Sequence, residues 1–282
     1  MQVTRFRDPH SFLRHAEGFL LKSEVENNLM LGVAEMGPAF DGEAYLATVD
    51  DGHTVVACAL RTPPYKAVIS RIETPAIPSL VADISMKYPD LPEVIGPEPD
   101  VVEFAHVWAR RTGLPSVEGH RQRLFEIREM PQSTVRCQGR LRVAEERDLP
   151  TIIEWTTEFI AEALPGDPTD PEKHAARRVA TRSLFLWDDG RPVSMAGFAG
   201  RSARGVRVNY VYTPPQFRTR GYATASVATL TRQLLAEGHT FCCLYTDVAN
   251  HTSNSIYQKI GYRPICDLST YVLNSRKAGI IR

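Results

Sequence analysis

Apolar and polar positions along the chain repeat one design twice. Residues 9–30 read as a helical stretch, and Tyr45–Val49 and Thr54–Ala57 follow as two short β-rich runs around Asp50-Asp51-Gly52-His53. Offset by 138 residues, Ser183–Met195 again sets an Asp-Asp-Gly between two apolar runs. Asp-Gly tolerates positive φ at a tight turn, so both segments predict β-hairpins. The second hairpin is also preceded by a helix, from Asp148 to Leu164, with Leu149, Ile152, Ile153, Phe159, Ile160, Ala163 and Leu164 at helical spacing. Beyond it the alternating, β-rich run Val206–Tyr212 predicts a strand that Thr213-Pro214-Pro215 ends. Ala223–Glu237 predicts a helix with Val227, Leu230 and Leu234 on one face and Gly238 as its stop. Phe241–Tyr245 is a further strand, Asn250–Ile260 a second helix, and Tyr262–Leu273 one or two closing strands. In the first copy the matching pieces are a strand at Ala67–Arg71 and a helix around Ser79–Lys87. The pattern predicts two similar α/β domains, residues 1–135 and 136–282, with the boundary near Pro131–Gln138.

Composition supports two globular domains and changes the picture in one respect. The 282 residues are 43% hydrophobic and 23% charged, an ordinary globular balance. The formal net charge is zero, with 33 basic and 33 acidic side chains. That total is a cancellation: residues 1–137 carry 14 basic and 19 acidic groups, residues 138–282 carry 19 and 14. Between Asp189 and Glu237 there are seven arginines and no acid. Such asymmetry points to an anionic ligand of the second half. The arginines gather around one turn rather than along a face with interleaved aromatics, which argues against nucleic acid. No leader-like or membrane-length apolar run is present. Five cysteines without a CxxC pair, and histidines without ligand spacing, predict reduced thiols in a cytoplasmic protein and no metal site. Cys242 and Cys243 read as buried packing residues.

Candidate chemistry lies at Arg218–Thr224. A strand feeding a Gly-containing turn into a helix points free backbone N–H groups at one place, and the helix dipole adds partial positive charge. Gly221 permits the turn and close approach of phosphate oxygens. Arg218 and Arg220 add full charges, and Thr224 adds a hydroxyl. The segment reads as a pyrophosphate cradle.

Val211-x-x-Pro214-x-x-x-Arg218-x-x-Gly221-x-Ala223 resembles the signature of the GNAT superfamily of N-acetyltransferases. Asn250-x-x-Ser253-x-x-x-Tyr257-x-x-x-Gly261-Tyr262 resembles the second segment of the same family. The departures are Ala223 for a glycine, Ser253 for an alanine and Tyr262 for a phenylalanine, and the match covers roughly residues 140–273. The resemblance implies an α/β (α+β) fold of two GNAT-like domains, each a mixed, mostly antiparallel twisted sheet flanked by helices. It implies acetyl-CoA as co-substrate, with Val211, Thr213, Arg218, Thr219, Arg220, Gly221, Tyr222, Ala223, Thr224, Asn250 and Ser253 as its contacts. It places Tyr257 near the sulfur as general acid. The bland alternatives stand beside this: Tyr257 as a core aromatic, Asn250 as a helix cap, the arginines as solvated surface. Glu154, Glu158 and Glu162 recur every four residues on the helix that borders the acceptor pocket in similar proteins. Glu158 and Glu162 are substrate-side candidates, against the reading of a solvated face. Asp247 is a further candidate base.

The first copy lacks the cradle. Ile72–Pro78 has no glycine, its prolines lack N–H groups, and Glu73 repels phosphate. Pro99–Trp108 resembles the second helix without a tyrosine at the matching place, and His106 and Trp108 there read as packing residues, with substrate contact as the alternative. This half is expected to keep the fold without the ligand, either completing the acceptor pocket or mimicking a dimer partner. The function expected is transfer of an acetyl group from acetyl-CoA to the primary amine of a small molecule, less so of a peptide, by a monomer or homodimer. The alternative is a non-catalytic acyl-CoA-binding regulatory module.

Overall fold

A computed structural model describes residues 1–35, 44–131 and 137–274. The chain divides into two compact units, so the boundary expected between residues 135 and 136 falls outside the described residues. The first unit holds Met1–Leu124, Asp247–Ala249 and the chain from Ile265 on; the second holds Phe125–Thr246 and Asn250–Pro264.

In the first unit β1 (Gln2–Arg5) precedes α1 (Pro9–Leu20) and α2 (Asn28–Glu35). The predicted single helix is thus two. The Asn27 side chain donates to the Leu20 carbonyl at 3.0 Å, supplying a helix-ending bond that competes with continuation. The hairpin follows as β2 (Tyr45–Asp50) and β3 (Val55–Arg61), where Asp51 accepts from the backbone of His53 and Thr54. Next come β4 (Ala67–Ile69), α3 (Ile77–Lys87), β5 (Glu93–Pro97), α4 (Asp100–Thr112) and β6 (Val117–Ile127). The chain passes into the second unit within β6, after Leu124. The first sheet runs β1-β2-β3-β4-β5, antiparallel except for the parallel pair β4–β5. Its core is filled by Leu80, Ile84, Phe104 and Trp108 against Tyr45, Val56 and Val94.

The second unit repeats the topology. β7 (Arg140–Val143), α5 (Leu149–Ala163) and α6 (Pro171–Ala180) lead to the hairpin β8 (Leu184–Asp188) and β9 (Pro192–Ala199). Then follow β10 (Gly205–Tyr212), α7 (Tyr222–Ala236), β11 (Phe241–Asp247) and α8 (His251–Ile260). The order is β7-β8-β9-β10-β11, antiparallel until the parallel pair β10–β11. Phe125 and Ile127 from the end of β6 pack with Val206, Cys242, Leu244 and Tyr257. Cys242 and Cys243 are fully buried, as their packing role requires, and burial pushes the Cys242 thiol up to about 12.

The closing segment is one strand, β12 (Arg263–Val272), whose residues Leu268–Val272 pair antiparallel with Glu93–Pro97 of β5 in the first unit. Leu273 is fully buried in the first unit's core, and the Asp267 carboxylate takes two bonds from Arg123 at 2.7 and 2.9 Å. No helix among the described residues is long and apolar enough to cross a membrane.

Candidate active site

Two backbone features of the second unit create the site. β10 pairs with β11 only through Gly205–Arg207 and Phe241–Cys243. On its other side, its register with β9 breaks between Asn209 and Tyr212, leaving Tyr210 and Val211 outside the ladder. Within this bulge Tyr210 has φ of 51°, a left-handed conformation that is an outlier for a bulky residue. It costs on the order of 1–3 kcal/mol and persists only where neighbours over-determine it. β10 therefore parts from β11 beyond Arg207 while staying against β9 to Asn209 and again at Tyr212, and the bulge sets Val211 out of the ladder between them.

The second feature is the turn into α7. Thr219 and Gly221 both take positive φ, 66° and 83°. A Cβ at Gly221 would meet nothing within 4 Å, so the space before the helix is open. The N-terminus has no side-chain cap, unlike α1, α6 and α8, which are capped by Asp8, Asp170 and Asn250. The first N–H groups of α7 therefore have no side-chain acceptor at the cap, which leaves them able to take an anion. Arg220 is exposed beside them, and Ala223 and Thr224 sit half-buried in the first turn. Tyr222 is buried, its hydroxyl donating to Asp189 at 2.7 Å, which raises its pKa.

Arg218 is already engaged. Its Nε donates to the Thr213 carbonyl at 2.9 Å, one Nη donates to Glu162 at 2.6 Å, and its guanidinium lies 5.7 Å from the Tyr212 ring centroid. Tyr212 donates to Glu158 at 3.0 Å; burial, then that bond, pushes the phenol up to about 12. The glutamates of α5 are thus neither a purely solvated face nor a free row: two of the three hold the end of β10 and the loop after it, and Glu154 is exposed. The Thr213 hydroxyl shares a 2.8 Å bond with Ser194. Val211 packs at the edge of the cluster that contains Tyr257.

Tyr257 is buried between Phe125 and Tyr262, ring centroids 6.3 and 6.1 Å away. Desolvation alone pushes its pKa up to about 12, and its hydroxyl has no hydrogen-bond partner among the described residues. Asn250 caps α8, its side chain accepting from the Ser253 N–H at 2.9 Å. Asp247 accepts from the Ala249 N–H at 2.7 Å and lies 3.6 Å from His120. Among the described residues no group of three or more acidic, His or Cys side chains is placed to hold a metal.

The turn of the first unit that corresponds to this one is a short helical turn at Thr74–Ala76 running into α3. Arg71 beside it is held by Glu26 at 2.8 Å and by the Glu98 carbonyl at 2.7 Å. Trp108 is fully buried, whereas His106 is exposed and 3.6 Å from Glu103.

Three residues escape sequence reading: Tyr210, His174 and Arg178, the last two on α6, an element the pattern did not reveal. The available signal was Asp170-Pro171, a capping residue followed by a proline at the first helical position.

The sequence model of the family described as FR47-like protein matches residues 189–272. No curated protein matches the chain. Among solved structures, an acetyltransferase of the GNAT family from Colwellia psychrerythraea has a TM-score of 0.59 at 10% identity, covering 96% of this chain and 99% of that one. A GCN5-related N-acetyltransferase from Kribbella flavida has a TM-score of 0.59 at 15% identity, covering 89% and 94%. A tandem GNAT protein from the clavulanic acid biosynthesis pathway has a TM-score of 0.57 at 10% identity, covering 96% and 97%. At these identities the likeness is one of fold: the chain carries the GNAT fold, in an arrangement it shares with a tandem protein.

Proposed function

We propose that the second unit is an acetyl-CoA-dependent N-acetyltransferase acting on the primary amine of a small molecule. The observation that carries this reading is the conjunction, in one unit, of a bulged β10 that parts from β11 after Arg207 and an uncapped, glycine-led α7 that follows it. The residues present fit the ligand. The N–H groups of α7, with Arg220 and Thr224, would hold the pyrophosphate, joined by Arg218 once it leaves Glu162. The backbone of Val211, outside the ladder with β9, would take the pantetheine amides and polarise the thioester oxygen. Asn250 and Ser253 would support the same face from the start of α8.

Acetyl-CoA supplies an activated acyl group; the chain's task is to place the amine and move protons. The neutral amine attacks directly: a C–N bond forms as the C–S bond breaks, the nitrogen loses a proton to solvent, and the departing sulfur needs one. Tyr257 supplies it: with a pKa near 12 it stays protonated through neutral pH, and among the described residues its hydroxyl has no partner to give up. The carboxylates of Glu158 and Glu162 give the α5 side a negative field that favours a cationic amine. The first unit is read as non-catalytic, because its corresponding turn, Ile72–Pro78, lacks a glycine and carries two prolines without N–H groups.

Release of free thiol from acetyl-CoA across a panel of small amines, with CoA binding measured alongside, tests this. Thiol release dependent on an amine supports transfer. Binding without release for every amine class replaces it with an acyl-CoA-binding module, and no binding of CoA sinks both.

A further inference from the structure

Arg178 is the least expected charge in the second unit. It is 7% exposed, yet no carboxylate among the described residues lies within ion-pair distance of it. Buried cations are ordinarily paired, because desolvating a charge is costly. Here burial pushes the guanidinium down to about 10, and Arg207 and Arg177 add repulsion. Something in the unit's architecture must need this group where it is.

Its partners all belong to one place. One Nη donates to the Phe198 carbonyl at the end of β9, and the other donates to the Asn209 side chain at 3.0 Å. Asn209 is the last paired residue of β10 before the bulge. Nε donates to His174 Nε2 at 3.1 Å, one helical turn earlier on α6. An arginine only donates, so that nitrogen of His174 carries a lone pair and the ring is neutral. Burial, followed by the charges of Arg178 and Arg177, pushes the imidazole down to about 3. The His174 ring stacks on Tyr210 at 4.0 Å between centroids, and the Arg178 guanidinium lies 5.1 Å from the same ring. Phe159 of α5 closes the third side at 5.0 Å. The Asn209 bond and the three ring contacts end on the residue with left-handed backbone or on its neighbour, and the Phe198 bond ends on the β9 residue paired with Val208.

We propose that Arg178 is a positioning residue for acetyl-CoA, clamping Asn209 and Tyr210 so that β10 keeps the bulge along which the pantetheine arm would lie. The inference rests on the acetyl-CoA reading of the second unit. It assigns no contact between Arg178 and the ligand: the guanidinium acts through the strand. His174 and Phe159 complete the clamp by holding the Tyr210 ring. The helix α6 thereby sets the shape of a strand three elements further along the chain.

Because the nucleotide half of the ligand is taken up by the turn into α7, the clamp makes a split prediction. Calorimetric titration of the full chain with CoA, and separately with 3′-phospho-ADP, which lacks pantetheine, reads it. Arg178→Met should weaken CoA at least tenfold while leaving 3′-phospho-ADP within twofold, and raise KM for acetyl-CoA more than it lowers kcat. Arg178→Lys, which keeps the charge but loses the fork, should behave like the Met variant. Asn209→Ala removes one acceptor without stranding the cation; it should weaken CoA several-fold with the same selectivity, and it serves if Arg178 variants do not fold. Parallel loss of both probes, or loss of neither, overturns the clamp. If the unaltered protein binds neither probe, the acetyl-CoA reading itself falls, an outcome distinct from failure of the clamp.

Discussion

Tyr257 shows how burial sets a residue's chemistry. Its place in α8 follows from spacing, but its raised pKa follows from Phe125 and Tyr262 around it. A proton donor must be protonated to act, and a pKa near 12 keeps it so. Turnover should therefore show no alkaline loss from this group below about pH 10, which a pH–rate profile checks. Tyr257→Phe should lower kcat by roughly 100-fold, the scale of general acid catalysis, with CoA affinity little changed; an unchanged rate removes the role. Glu162 offers an opposite sign. It holds Arg218 at 2.6 Å and competes with phosphate for it, but the pair is solvent-exposed. Exposed pairs contribute about 0.2–1 kcal/mol, so Glu162→Gln should tighten CoA by roughly two- to fivefold in calorimetry. Asn250 caps its own helix, the alternative that local sequence offered beside its reading as a coenzyme contact.

At the scale of elements, the turn into α7 and the entry to α5 carry the sharpest expectations. Gly221 has φ of 83° and open space around its missing Cβ, so Gly221→Ala meets strain and no clash. The strain is about 1 kcal/mol, which should lower the thermal midpoint by a few degrees. Arg142 of β7 bonds both oxygens of Asp148, at 2.7 and 2.8 Å, and Asp188 at 2.8 Å. Removing it as Arg142→Ala leaves Asp148 buried and unpaired, costing about 3 kcal/mol in a urea unfolding experiment. Those bonds hold the Asp148 carboxyl below the usual carboxylate range. Its stabilisation is fully present above the unfolded pKa of about 4 and is lost as pH falls through the lower folded value. The urea midpoint should therefore drop below about pH 4, and in Arg142→Ala that contribution should be absent. Most elements of the second unit were legible because hairpin turns, helix stops and alternation are local signals. α6 was not, since its buried side includes a charged residue, Arg178, beside Ala175, which breaks the apolar spacing that marks a helix.

For the whole molecule, the repeat seen in the sequence is real at the level of topology, each unit having an antiparallel run closed by one parallel pair. What the repeat did not disclose is the destination of β12. Its residues Leu268–Val272 complete the first unit against β5, and Leu273 fills that unit's core. A chain ended after Pro264 should lose cooperative unfolding of the first unit and self-associate through the uncovered β5 edge. Calorimetry with size-exclusion chromatography reads both; an unchanged melting profile would show that β12 is dispensable.

By itself the sequence determined the local chemistry: the Asp-Gly hairpins, the glycine-led turn between two arginines, the cap at Asn250, and the absence of a matching cradle in the first copy. These are interactions among neighbours, so their residues carry them in order. The tertiary structure alone decided that Glu162 occupies Arg218, that Tyr210 takes a left-handed backbone under a buried arginine, and that β12 pairs with β5. Each of those joins positions distant in the chain, where the balance of burial, charge and strand pairing exists only once the chain has folded.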